Sequence, residues 1–188
     1  MFLRILLTLI FCLTATLATA GSVDIGLNDK SFQIGYVHPV NQDEYGIVTA
    51  NGRFLYNDDN ETSLASFGLD FIGKPGNIPG LGYGVGTKFY LGKTDPNIDF
   101  INLAIGLQAS YLFSRLQGLG VSGKVYYAPQ VFSFKDAERL LEGEFRVSYA
   151  ILPKAKVYVG YQYINLDVKQ RGDRDLSDSV RIGFVGTF

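Results

Sequence analysis

The sequence predicts an all-β chain, an antiparallel transmembrane β-barrel of about 10 strands, with 8 as the alternative if the N-terminal hairpin is irregular. Apolar residues recur at every second position over most of the chain beyond residue 20, the period of a strand with one apolar face. Mean hydropathy is positive, +0.12, yet beyond that point no run approaches the roughly 18 consecutive apolar residues of a membrane helix. The 188 residues are 14% aromatic and only 19% charged, with 22 Gly, a glycine share well above the usual ~7%. Lys plus Arg (17) nearly cancels Asp plus Glu (18), so there is no basic field to hold a nucleic-acid backbone, and a nucleic-acid partner is excluded.

Residues 1–20 read as a cleaved secretory signal peptide. Arg4 supplies the positive start, Ile5 to Leu17 the apolar core, and Ala18-Thr19-Ala20 the small-residue cleavage site before Gly21. Cys12 lies inside the apolar core behind Ile10-Phe11, where a lipoprotein signal needs small residues. Cleavage leaves residues 21–188 as the barrel and removes the single cysteine, so disulfides, thiolate metal sites and a cysteine nucleophile are excluded. The destination implied is the bacterial outer membrane.

Ten strands are predicted over 22–28, 31–38, 45–56, 62–72, 82–91, 100–113, 119–127, 139–151, 155–167 and 177–188. The alternation is plainest at Ala65-Phe67-Leu69-Phe71, at Ile101 through Phe113, at Leu141-Phe145-Val147-Tyr149-Ile151 and at Val157-Val159-Tyr161-Tyr163. Connections 57–61, 92–99, 128–138 and 168–176 are mostly polar and charged. Those at 39–44, 114–118 and 152–154 are on average shorter and fall on alternate positions, as in barrels with long outer loops and short periplasmic turns. Asn28-Asp29-Lys30 and the 73–81 segment break that rule. Residues 134–141 hold the one stretch with helical character and are assigned to the end of a loop.

A soluble ligand-binding barrel also alternates, with its apolar residues inside. Here the opposite face carries mainly Gly, Ser, Ala, Asn, Gln and Tyr with isolated charges, which suits a crowded lumen. Lipid should meet Phe67, Leu69, Phe71, Ile105, Leu107, Phe145, Val147, Val159, Ile182 and Phe184, with Tyr149, Tyr163 and Phe188 in the interfacial girdles. Arg53, Asp70, Lys88, Lys124, Glu142, Glu144, Arg146 and Arg181 should line the lumen, paired or wet, because isolated buried charges are costly. Gly82, Gly84 and Gly86 should leave room for long side chains such as Lys88 and Tyr90.

The last strand ends with Arg181, Gly183 and Phe188, resembling the C-terminal signal by which the barrel-assembly machinery recognises its clients, although Gly186 stands where a hydrophobic residue is usual. Val159 to Asp167, the Arg/Asp-rich segment Gly172 to Asp178 and the terminal strand look like the C-terminal third of the YfaZ-like outer-membrane proteins. Lys124 to Pro129 and Asn57-Asp58-Asp59-Asn60 leading to Phe67–Phe71 are similar as well. The resemblance implies an outer-membrane barrel and brings no functional residues.

No catalytic, cofactor-binding or metal site is assigned. The single histidine, His38, precedes Pro39 in a predicted periplasmic connection, the wrong rim for chemistry on outer-leaflet lipid. The acidic hairpin Asp58-Asp59-Asn60-Glu61 and the trio Asp173, Asp175 and Asp178 are compatible with calcium but read as solvated turns. Function classes are ranked with a narrow passive pore first, then a non-conducting structural or surface-interaction barrel, then a lipid-acting enzyme. Outer-membrane lipid and the assembly machinery are the expected partners.

Overall fold

The computed structural model describes residues 21–188 apart from 77, 95–97, 117, 170 and 171. The expected signal peptide lies outside the described residues. The elements are β1 Ser22–Leu27, β2 Ser31–Gln42, β3 Gly46–Asn57, β4 Thr62–Gly73, β5 Leu81–Thr94, β6 Ile98–Leu112, β7 Leu119–Ala128, β8 Ser133–Lys135, β9 Ala137–Leu152, β10 Ala155–Val168 and β11 Gly172–Thr187, with a 3-10 turn at Gln130–Phe132. All pairings are antiparallel, and β1 also pairs with β11, from Ser22 opposite Thr187 to Leu27 opposite Ile182. The sheet is therefore a closed barrel. β8 is a three-residue piece on the end of β6, and β7 pairs directly with β9, so the wall has ten strands. The N-terminal hairpin is regular, which removes the eight-strand alternative.

The strands are longer than periodicity alone predicted. Much of the expected loops at 92–99 and 168–176 is strand, and the expected 39–44 connection contracts because β2 runs through a bulge at Pro39–Asn41. The stretch with helical character is also strand: Lys135 pairs with Phe100, and β9 starts at Ala137, where Ala137 pairs with Val168. Local helix propensity loses there to open ladder edges on both sides. Two tight turns are set by their first residue. Asn28 Oδ1 accepts from the backbone N–H of Lys30 (3.0 Å) and Ser31 (2.5 Å), and Asp43 Oδ1 accepts from Tyr45 and Gly46 (both 2.9 Å).

Outward positions form an apolar belt. All ten residues expected to meet lipid lie on it, with Ile105, Leu107 and Ile182 58–67% exposed. A closed ring with no free edge and an apolar exterior is the barrel solution for crossing a bilayer. Toward the loop end the polarity reverses. On β10, Val157, Val159 and Tyr161 face out while Tyr158 and Gln162 face in; two rungs higher, Asn165 and Asp167 are on the outside, and Ile164, Leu166 and Val168 are buried. A bulge on β11 assists, since Ile164 pairs with Ser177 and Asn165 with Asp175, leaving Leu176 unpaired and turned inward beside Ser177. The outer surface of this extension carries the ion pairs Lys30–Asp59, Lys93–Asp99, Lys135–Asp99 and Arg139–Asp167.

The seam between β11 and the N-terminal hairpin is completed by side chains. β1 reaches only Ile182 along β11. Above it, Asn57 Nδ2 donates to the Leu176 carbonyl (3.0 Å) and Asn60 Nδ2 to the Asp175 carbonyl (2.6 Å). The resulting expectation is local: Asn57→Ala combined with Asn60→Ala removes about 1 kcal/mol per bond. Amide exchange should then speed up in 173–179 while the lower barrel stays protected; unchanged exchange there would show that the asparagines do not hold the seam. Leu107→Arg, in the middle of the belt, should lower the unfolding free energy of bilayer-refolded protein by about 2–4 kcal/mol in urea titrations.

Candidate functional site: a charged lumen capped at one end

Every second residue of each strand points inward, and closure brings together side chains from strands that are not neighbours. The lumen divides into three levels. At the loop end Leu55, Leu64, Phe100, Leu140, Ile164 and Leu166 pack against one another, each no more than 1% exposed. They are the loop-end part of the barrel's buried apolar cluster.

Beneath it, Arg53 on β3 donates two hydrogen bonds to Glu142 on β9, Nη1 to Oε1 at 2.6 Å and Nη2 to Oε2 at 2.9 Å. Tyr90 Oη adds a third to Glu142 Oε2 at 2.5 Å, and the Lys88 ammonium lies 3.5 Å from Oε1. Arg181 shares this level without a carboxylate partner among the described residues. Its Nη1 donates to Gln33 Oε1 (3.2 Å) and its Nη2 to Ser31 Oγ (3.0 Å).

Nearer the termini, Lys124 pairs with Glu144 at 2.8 Å, and Arg146 bridges Glu144 and Asp24. Tyr158 Oη donates to Asp24 at 2.7 Å, and the Arg146 guanidinium lies over the Tyr158 ring. Asp70 accepts from Asn51 Nδ2 (2.8 Å) and Tyr126 Oη (2.5 Å). Room for the tyrosines comes from the glycines paired with them on neighbouring strands. A Cβ on Gly106 would lie 2.3 Å from the Tyr126 ring, and one on Gly183 would lie 2.3 Å from that of Tyr158. Gly86 makes space for Asp70 and Tyr126, rather than for Lys88 and Tyr90 as the sequence suggested. Alongside these two charged levels the interior holds two cavities of about 220 and 160 Å³ that share Ile72, Gln108, Lys124 and Arg146 as lining.

The structure thus puts Arg53, Lys88 and Glu142 in one cluster and Lys124, Glu144 and Arg146 in a second. Asp70 pairs with neutral groups, and Arg181 stands apart. Sequence reading missed Asp24, which completes the second cluster, and missed the apolar cap. The signal for the cap was present: Ile164, Leu166 and Val168 alternate out of phase with Val157, Val159 and Tyr161.

His38, the last residue of the predicted 31–38 strand, lies within the longer β2 opposite Ala50, so no connection begins there, and it stacks on Tyr36. Tyr36 also stacks on Phe188. In the acidic segments, Asp59 is held by Lys30, Asp175 Oδ1 accepts from Asn165 (2.9 Å) and Asp178 Oδ1 from Tyr161 (2.6 Å).

The Arg53–Glu142 pair gives a direct test. Arg53→Met or Glu142→Gln alone strands a buried charge and should cost about 3–5 kcal/mol. The double variant should recover much of that loss in a denaturation cycle. Purely additive losses would mean the two groups act independently.

Comparison with known proteins places the chain in a family. No curated protein matches it. Among solved structures it is similar to the outer membrane protease OmpT from Escherichia coli, with 12% identity and a TM-score of 0.49 over 90% of this chain and 91% of that one. It is also similar to the KdgM porin, with 10% identity and a TM-score of 0.46 over 90% of this chain and 99% of that one. The family described as YfaZ precursor matches residues 2–188, and the chain belongs to it.

Proposed function

We propose that this protein is a non-conducting barrel of the outer membrane, a wall-like element whose interior opens only toward the side of its termini. The apolar layer at the loop end carries this reading. Each fully buried Leu, Ile or Phe there is worth roughly 1.5–3 kcal/mol, so opening a water path through several of them costs far more than thermal motion supplies. The ion pairs below act on the same side, because their charges bind one another and fill the width of a ten-stranded barrel. The narrow pore ranked first from sequence needs a continuous wet path, and the buried apolar cluster at the loop end argues against one. The position of His38 on the outer face, away from the lumen carboxylates, favours a non-enzymatic role.

By the usual orientation of such barrels, the termini and the open cup face the periplasm. Lipid covers the belt. The assembly machinery reads the last strand before folding, since in the finished barrel Arg181 is buried and Gly183 is covered by Tyr158.

Planar-bilayer recording tests the reading. Wild-type protein should give no steady current steps, whereas a folded Phe100→Ala/Leu140→Ala/Leu166→Ala variant should give them. Steady wild-type channels whose size changes in Lys124→Gln would overturn it.

A further inference from the structure

We infer that the cup on the terminus side is a binding site for a compact, water-soluble oxyanion of the phosphate type. This deepens the closed-barrel reading and rests on it, because a cavity sealed at one end holds a ligand where a through-pore would pass it.

Hydrogen-bonding capacity in the lumen is unevenly used. The lumen's carboxylates are all held in ion pairs or hydrogen bonds, while Gln162 Oε1 is a buried acceptor without a partner. Every oxygen of Asp24, Asp70, Glu142 and Glu144 is met by a donor or a cation: Tyr158 and Arg146 at Asp24, Tyr126 and Asn51 at Asp70, Arg53 and Tyr90 at Glu142, Lys124 and Arg146 at Glu144. That leaves little to attract a metal cation.

Donors, by contrast, are in surplus. Lys88 is 4% exposed, makes no hydrogen bond among the described residues, and has its nearest carboxylate oxygen at 3.5 Å. Its ammonium instead sits 3.9 Å from the centre of the Tyr126 ring, so its hydrogen-bonding capacity is not used by a neighbouring oxygen. Lys124, with a side chain 27% exposed, makes one carboxylate contact. Arg53 Nε and Gln108 Nε2 are buried without a partner.

These four groups all line the 220 Å³ cavity. Unsatisfied buried donors are expensive, and a small anion, with the waters it brings, satisfies several together at a charge-assisted gain. The cavity volume is about seven waters' share at ~30 Å³ each and lies below the roughly 300–1,000 Å³ of sites for drug-sized molecules. Both points select a compact ion over an extended chain. Asp24 and Asp70 also line the cavity, but Asp24 is neutralised by Arg146 and the oxygens of Asp70 accept from Asn51 and Tyr126.

Calorimetric titration of inorganic phosphate into the protein in maltoside micelles at low ionic strength tests the site. The expected result is saturable one-to-one binding. It should weaken at least tenfold in Lys124→Gln and in Ser122→Asp, which places a carboxylate on the wall of the connected cavity, with the cold-gel mobility of both variants unchanged. Lys88→Met should abolish binding if it folds, and the other two variants carry the test if it does not. Unsaturable heats, or unchanged affinity in the folded Lys124 and Ser122 variants, would overturn the site. Adding phosphatidylglycerol to the micelles separates the sources of phosphate: an unchanged affinity assigns the site to the free ion, and competition by the lipid would overturn that assignment. Bilayer recordings on the same preparation keep the two readings apart, since wild-type channels would sink the closed barrel, while absent phosphate heats with a silent bilayer would sink only the site.

Discussion

Closure of β1 onto β11 is the constraint from which the rest of the molecule follows. In lipid an unpaired strand edge leaves backbone groups with nothing to bond, so the ring must close, and ten strands fix its width. That width lets Arg53 on β3 meet Glu142 on β9, Arg146 on β9 meet Asp24 on β1, and Gln162 on β10 meet Gln33 on β2. Each contact joins strands that are not hydrogen-bonded neighbours. The seam is also where the ladder is thinnest. β1 has six residues against sixteen in β11, and the side chains of Asn57 and Asn60 take over where its backbone stops.

The second constraint is that the medium outside the wall changes along each strand. In the belt, lipid outside places apolar side chains outward and leaves the interior to charges and small residues. Beyond the belt, water outside reverses the preference, and the same strands bury Ile164, Leu166 and Leu140 inward while Asp167 and Arg139 pair on the surface. Membrane-barrel and soluble-barrel patterns are thus stacked in one molecule. The apolar cap is the core of the soluble part, and the charged lumen is the filling of the membrane part.

This stacking explains what the sequence revealed and what it concealed. Period-two alternation showed which residues share a face, so Glu142, Glu144 and Arg146 were separated from Phe145 and Val147 without coordinates. Alternation does not say which face is inside. Where the outside medium changes, the phase has to be read against a bilayer boundary that no residue marks. Asp24 was overlooked because six residues of β1 are too few for the pattern to declare a face. The Arg53–Glu142 pair, 89 positions apart, depends on strand register around the ring, which the sequence does not print. The 134–141 stretch misled in the other direction, because its helical composition is local while the ladder edges that captured it are not.

Charges in the lumen need a reason, because well-packed apolar residues of the same volume would serve stability equally well. One reason lies in the order of the levels. An interior apolar throughout, inside a belt apolar outside, would give strands greasy on both faces, with weakly specified register and a tendency to pair wrongly before insertion. Alternating charged and apolar positions fixes the register of every strand in the belt, since a one-residue slip would present Glu142 or Arg53 to lipid. The bidentate geometry of Arg53 on Glu142 then narrows which strands can face each other across the ring. Below that level Lys124, Glu144, Arg146 and Asp24 form the second cluster, and the cavity lined by Lys88 and Lys124 runs alongside both.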